Sequence, residues 1–284
     1  MSSSRHGPGG GLRAARAAFV YAFLAIAALV VLFPLFWLVP NSLKTTTELF
    51  NSPWSIPASP RWSNYALAWS TGRIGVYFLN SIVVSASTLL LIVAIATMAA
   101  FAIKRLRWRG ANLALTVFLL GAMIPVHAVL IPLFIQFTRL GLIKSYASLI
   151  ATYVAYGLPV AIFILSGFFG SLPAELEQAA VLDGCSIGGM FLRVDLPLAA
   201  PAIMAVSMFS FVIVWNELLV ALVFISDARR MTLPVGLSNF KGEYATNFSA
   251  LFAAVLITMA PSIIIYALFN NRMIEGVTSG AIKG

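Results

Sequence analysis

Leu172-Pro-Ala-Glu-Leu-Glu-Gln-Ala-Ala-Val-Leu-Asp-Gly184, running on to Leu196-Pro197, is a polar stretch between two long apolar segments. The chain has nine acidic residues, and Glu175, Glu177, Asp183 and Asp195 all fall here. Local chemistry predicts a short helix. Proline suits a first helical turn, where its missing N–H would be unsatisfied anyway, so Pro173 marks a start. Glu175 and Glu177 sit near the positive end of the helix dipole. Gly184 can take the left-handed conformation that stops the helix. Ser186 can then cap a second short helix, about Ile187–Leu196, ended by Pro197. Eleven residues of helix rise only about 16 Å, too little to cross a bilayer. The segment is therefore expected to lie at the membrane surface. Ala179, Ala180 and Gly184 would give it a shallow face open to a partner.

The rest of the chain sets the class. Of 284 residues, 61% are hydrophobic and 10% charged, against about 25% charged in ordinary soluble domains. The expected fold class is all-α, a polytopic membrane protein with six transmembrane helices. A span needs about 20 apolar residues, and its backbone must be satisfied within the segment. Six segments qualify: about Ala17–Val39, Phe78–Ile103, Asn112–Ile135, Tyr146–Phe169, Ala202–Ile225 and Phe248–Phe269. Pro125, Pro132, Pro159 and Pro261 fall inside them and predict kinks or breaks. Residues 1–16 are expected to be a flexible basic cytoplasmic tail, 17–270 the six-span domain, and 271–284 a cytoplasmic C-terminal tail.

Charge gives the orientation. The net charge is +9 with 18 Lys+Arg, an excess read here as cytoplasmic loop enrichment rather than nucleic-acid binding. Lys104-Arg-Leu-Arg-Trp-Arg109 and the basic N-terminus put both termini inside. Arg139, Lys144, Arg229 and Arg230 fall outside and narrow the margin. The first outer loop, about Pro40–Val76, holds Trp54, Trp62, Trp69, Pro53, Pro57 and Pro60. It reads either as an aromatic belt at the headgroups or as a docking surface for an outside partner.

Several chemistries find no support. Cys185 is the single cysteine and His6 and His127 the only histidines, so no disulfide, thiolate cluster or His-rich metal site is expected. No GxxxxGK[ST] phosphate loop, GxSxG or HExxH motif occurs. Glu217 is the only acid inside an expected span, thin support for an ion relay. A transporter with neither device needs a separate motor.

At this point the chain resembles a known family. Glu175-x-x-x-Ala179-Ala180-x-x-Asp183-Gly184, followed at a fixed distance by Leu196-Pro197, is similar to the signature loop of bacterial ABC importer permeases. Asn41-Ser-Leu-Lys44, Ile131-Pro-Leu-Phe134, Trp215-Asn-Glu217, Thr232-Leu-Pro-Val-Gly-Leu237 and Gly280-Ala-Ile-Lys-Gly284 resemble its carbohydrate branch, of the maltose-transporter type. Cys185 departs from the alanine more usual after the glycine, a change of small size.

The resemblance implies the type I permease fold and a division of labour. The chain would be a sugar-importer permease subunit in the prokaryotic inner membrane, not itself an enzyme. It would pair with a second homologous permease. An ABC ATPase dimer would hold the ATP and magnesium, this chain binding no cofactor, and an external sugar-binding protein would deliver substrate. Glu175, Ala179, Ala180, Asp183, Gly184, Leu196 and Pro197 would form the ATPase-coupling loop. Ser279, Gly280, Lys283 and Gly284 would reach the ATPase from the C-terminal tail.

Sugar recognition combines aromatic faces with polar groups in an apolar cavity. The path candidates are Asn80, Ser207, Trp215, Asn216 and Glu217, with Ser81, Ser85 and Ser210 beside them. For most of these, helix–helix hydrogen bonding is the competing reading. Other functions stay open: a permease for glycerol phosphate or another polar solute, an ion-coupled carrier working alone, or a membrane scaffold without flux.

Overall fold

The computed structural model describes residues 9–106, 108–243 and 247–281, with side-chain surroundings for 15–106, 108–240 and 247–269. Among the described residues the fold is helical, without strands. The helices are α1 Gly9–Ser42, α2 Thr46–Asn51, α3 Ser63–Ala66, α4 Ile74–Arg105, α5 Ala111–Ala122, α6 Val126–Arg139 and α7 Tyr146–Ser171. There follow α8 Ala174–Leu182, α9 Ile187–Met190, α10 Leu196–Leu198, α11 Ala200–Trp215, α12 Leu219–Phe224, α13 Leu233–Glu243 and α14 Phe248–Ala281. Four described helices are long and apolar enough to cross a membrane: Ala15–Ser42, Ile74–Arg105, Tyr146–Ser171 and Phe248–Phe269. Two bent pairs, Ala111–Ala122 with Val126–Arg139 and Ile187–Leu198 with Ala200–Trp215, bring the count to six if each is one span.

Two expectations need correction, the unbroken fifth span and the flexible tail; the break expected at proline in the third span is present, and α5 and α6 meet at 92°. Pro125 stands in the break with extended ψ of 129°, since proline removes a helical donor and clashes with the preceding turn. The fifth span is also broken, with α11 ending at Trp215 and α12 beginning at Leu219. Helix α1 starts at Gly9, so the second half of the expected flexible tail is helical; residues 1–8 lie outside those described. Leu12, Arg13, Ala14 and Ala15 favour helix and extend a span already nucleated. By contrast Pro132, Pro159 and Pro261 stay inside continuous helices.

The described residues form two compact units. The smaller contains residues up to Thr71 together with 247–256. Here the Asn41-Ser-Leu-Lys44 motif forms a buried polar knot at the end of α1. Asn41 Nδ2 donates to the Trp37 and Pro53 carbonyls, and Lys44 Nζ donates to the Ser52 carbonyl at 2.7 Å. Asn64 Nδ2 bridges the Ser42 and Lys44 carbonyls. Burial pushes the Lys44 amine below its usual range, and the charge of Glu48 partly offsets that. Trp54 packs on Phe33 and Trp37. The first loop is thus ordered by its own hydrogen bonds.

The larger unit contains Gly72–Glu243 and the remainder of α14. Its spine is α4 packed along α7, with α5 and α11 against them. One core cluster gathers Phe101, Ile162, Leu165, Phe169 and Ala180; another gathers Val84, Leu149, Tyr153, Val220 and Phe224. Helix α13 crosses so close to α4 that a Cβ on Gly236 would clash with the Tyr77 ring. Gly236→Ala is therefore expected to destabilise the protein by about 1–3 kcal/mol through overpacking. Thermal unfolding in detergent checks this, and an unchanged midpoint would show that the ring yields freely.

Candidate coupling surface and cavity

The acidic segment folds much as its residues suggest. Helix α8 spans Ala174–Leu182, with Pro173 immediately before it and Glu175 and Glu177 in its first turn. Gly184 has φ of +76°, in the left-handed region. The Gly184 N–H donates to the Val181 carbonyl and the Cys185 N–H to that of Ala180, at 3.0 and 2.9 Å. That pair of bonds is the glycine-dependent end of a helix. The Ser186 hydroxyl accepts from the Gly189 N–H and caps α9.

Two details differ from expectation. Pro197 does not end the second helix: a π turn over Phe191–Asp195 leads into α10, and the chain bends by 71° only after Leu198. Proline in the first turn of a helix lacks no needed donor. Nor do both alanines face outward. Ala179 is exposed, but Ala180 is buried with Phe101 and Phe169. The face open to a partner carries Glu175, Ala179, Asp183 and Gly184 together with Val181, Leu182, Ile187 and Leu192, which are exposed. These four apolar residues were missed in the sequence, because hydropathy around them is already high on both sides.

Glu177 turns inward and pairs with Arg105 at the end of α4. This contact puts Lys104 and Arg105 at the end of α4 beside the acidic loop, at one end of the larger unit. At its other end, Asn80 Nδ2 donates to the Arg229 and Met231 carbonyls, and its Oδ1 accepts from the Tyr146 hydroxyl. Ser81 Oγ accepts from the Leu233 N–H. Asn80 and Ser81 thus pin the Asp227–Leu233 loop onto α4. Bonds from Arg229 hold the Asp227 carboxyl below its usual range.

The remaining path candidates separate. Trp215 is buried, with Nε1 donating to the Thr258 carbonyl and its ring stacked on Phe211. Asn216 is exposed and bonds back to the Val212 carbonyl. Ser207 opens on a separate apolar groove with Leu89, Met208 and Phe269. Ser85 is buried on α4.

Ser210 and Glu217 instead line a cavity of about 370 Å³. With them stand Tyr153, Tyr156, Thr152 and His127. The cavity lies where the backbone is irregular: Pro125 in the α5–α6 break on one side, Glu217 in the α11–α12 break on the other. Non-helical backbone at membrane depth is tolerated where it lines a cavity or is buried in protein. Glu217 is fully engaged. Its carboxylate accepts the Tyr153 hydroxyl at 2.6 Å and the Val220 and Ala221 N–H groups at 2.9 and 3.2 Å. It therefore caps α12 across the break. The tyrosines carried no signal in the sequence, since aromatic residues on an apolar helix are common.

Of the expected C-terminal contact residues, Ser279 and Gly280 fall within α14. Lys283 and Gly284 lie outside the described residues. No group of His, Cys, Asp and Glu able to hold a metal occurs among the described residues.

Two broken helices around a cavity, long apolar helices and a surface loop capped by glycine define a multi-pass transport protein of the membrane. Residues 92–274 match the family described as binding-protein-dependent transport system inner membrane component, and the chain belongs to that family. It is a permease subunit and not itself an enzyme. It is 36% identical to the diacetylchitobiose uptake system permease protein NgcG of Streptomyces coelicolor, over 94% of this chain and 89% of that one. It is 33% identical to the trehalose transport system permease protein SugB of Mycobacterium tuberculosis, over 89% and 93%. A chain of a bacterial ABC transporter that imports alginate has the same fold. Its TM-score is 0.80 at 20% identity, with 95% of this chain and 99% of that one covered.

Proposed function

We propose that this chain forms half of the translocation path of an ATP-driven sugar importer. The observation that carries the proposal is the cavity between the two helix breaks. Its volume falls in the range of small-molecule sites, about 300–1,000 Å³. Tyr153 and Tyr156 supply aromatic side chains, and Thr152, Ser210, His127 and Glu217 supply polar groups in an apolar wall. The names of the relatives, which concern diacetylchitobiose, trehalose and alginate, favour an oligosaccharide.

The coupling surface is the exposed face of the 174–192 loop. Glu175, Ala179, Asp183 and Gly184, with the apolar Val181, Leu182 and Ile187, would dock on an ABC ATPase dimer that binds ATP and magnesium. Leu196 and Pro197 would set the turn into α11. A second homologous permease would complete the path, and an external binding protein would deliver sugar. Lys104 and Arg105, at the same end as this loop, favour a cytoplasmic position for it. Both termini would then lie inside. Closure of the ATPase pair would then move the permease between inward-open and outward-open states, through contacts that differ in the two. An ion-coupled carrier is disfavoured because Glu217, the acid at the α11–α12 break, is occupied as a helix cap.

Tagged purification from native membranes in mild detergent tests the proposal, followed by uptake in liposomes with a panel of chitobiose, trehalose, maltose and glycerol phosphate. Recovery of a second permease and an ATPase, with ATP-dependent uptake of one sugar, is expected. Recovery of this chain alone, still transporting on an ion gradient, would overturn it. Preference for glycerol phosphate would reassign the substrate.

A further inference from the structure

Arg105, the last residue of α4, is 8% exposed. Its Nε is ion-paired with Glu177 on α8. Its Nη1 donates to the Phe169 and Leu172 carbonyls at the end of α7, at 3.2 and 3.3 Å. Asp195 Oδ1, in the π turn before α10, lies 3.9 Å from the same Nε. One guanidinium thus joins α4, the end of α7, the coupling helix and the entry to α11.

The grouping is costly. The side chain of Asp195 is 1% exposed and that of Glu177 18%. Replacing a buried ion group by well-packed apolar residues is often neutral or stabilising, so stability alone does not account for it. Arg105 Nη2 and Asp195 Oδ2 are both buried with no hydrogen-bond partner among the described residues. Arg105 Nε lies 3.9 Å from Asp195 Oδ1, beyond hydrogen-bond length, so the Arg105–Asp195 bond is unmade in this conformation.

The mechanical setting gives that bond a use. Helix α8 has nine residues, of which Ala180 is buried. So short a helix is not stable alone. It joins α7 through the extended Leu172–Pro173 link, with ψ of 138° and 133°. A push on α8 would be absorbed at that link unless a side chain ties the helix to the spans. Arg105 is such a tie. The helices it holds, α4 and α7, carry Ile92, Thr152, Tyr153 and Tyr156 to the cavity wall.

We infer that Arg105 is a positioning residue for transport, a clasp that passes displacement of α8 to α4 and α7 by shifting its hold from Glu177 toward Asp195. The inference rests on the importer reading above. Lysine lacks the planar fork that pairs with Glu177 and donates to two carbonyls while standing 3.9 Å from Asp195.

The test uses the complete importer with its second permease and ATPase, in liposomes. Every chain compared carries Cys185→Ala and a reporter cysteine in the cavity wall, Val160→Cys. Maleimide labelling is measured without nucleotide and with a non-hydrolysable ATP analogue, alongside the ATP hydrolysis rate. In the parent, the two labelling rates are expected to differ about fivefold or more, the usual scale of coupling between sites. In Arg105→Ala that ratio is expected to fall to about one while hydrolysis continues, an uncoupled cycle. Arg105→Lys should be intermediate. Glu177→Gln and Asp195→Asn should each keep part of the response, and the double variant should lose it.

A parent with no nucleotide response would sink the importer reading itself. A responsive parent with an equally responsive Arg105→Ala would overturn the clasp. So would a proportional fall in hydrolysis and response, which a merely structural role produces. If Arg105→Ala fails to assemble, the near-isosteric Glu177→Gln/Asp195→Asn double variant decides by the same criteria.

Discussion

Gly184→Asp is expected to reduce coupled uptake by about tenfold or more while leaving the chain folded, because the damage falls on a partner contact. Gly184 is exposed, and a Cβ built on it meets nothing within 4 Å. The internal cost is confined to the positive φ of 76°, worth about 1–2 kcal/mol for a side chain. Aspartate is among the residues that tolerate that region best. The unfolding midpoint should therefore move by only a few degrees. The added carboxylate would instead stand beside Asp183 on the face proposed to dock the ATPase. There it brings both bulk and a like charge. Gly184→Asn carries the same strain without the charge and should keep more uptake. Detergent unfolding, ATPase recovery on purification and uptake in liposomes separate the possibilities. Full uptake in Gly184→Asp would remove Gly184 from the coupling surface; a large drop in unfolding temperature would make its role one of folding.

The parts that were legible in the sequence are those governed by local chemistry. Pro173 and Gly184 act through their own backbone and Ser186 through a hydroxyl that meets an N–H three residues on, so the start, stop and second cap of the acidic loop could be read without tertiary knowledge. The apolar segments were legible for the same reason. What depends on distant partners was not. Glu177 and Glu175 are equivalent in the sequence, yet one meets Arg105, seventy-two positions away, and the other is exposed. Asn80 and Ser81 look like bundle or path residues, and their loop partners lie near residue 230. Hydropathy could not reveal the breaks at Pro125 and at Asn216–Leu218 as cavity walls, because an apolar window averages over them. Tyr153 was illegible until the fold placed it against Glu217.

Glu217→Ala should be the most destabilising single change in the cavity wall. It removes the acceptor of three hydrogen bonds: one from the Tyr153 hydroxyl and two from the first-turn N–H groups of α12. Bonds to a charged group contribute about 1.5–3 kcal/mol each, and an orphaned buried donor adds its desolvation cost. The three share one acceptor and are not additive, so a total near 3–5 kcal/mol is expected. Tyr153→Phe keeps both caps and should lose about 1–2 kcal/mol. The pair must couple: the double variant should be less destabilised than the sum of the singles by at least about 1 kcal/mol. Additive losses would mean that the hydroxyl and the carboxylate act separately. Uptake then tells structure from contact. If Glu217 serves only as a cap, Glu217→Gln, which keeps an oxygen toward α12, should retain uptake in proportion to its stability. If sugar meets this wall, uptake by Glu217→Gln and Tyr153→Phe should fall well below what their unfolding midpoints explain, with the larger change in the sugar concentration needed for half-maximal rate. The cap forms the wall, so the break that opens room for a solute is held by the group best placed to meet it.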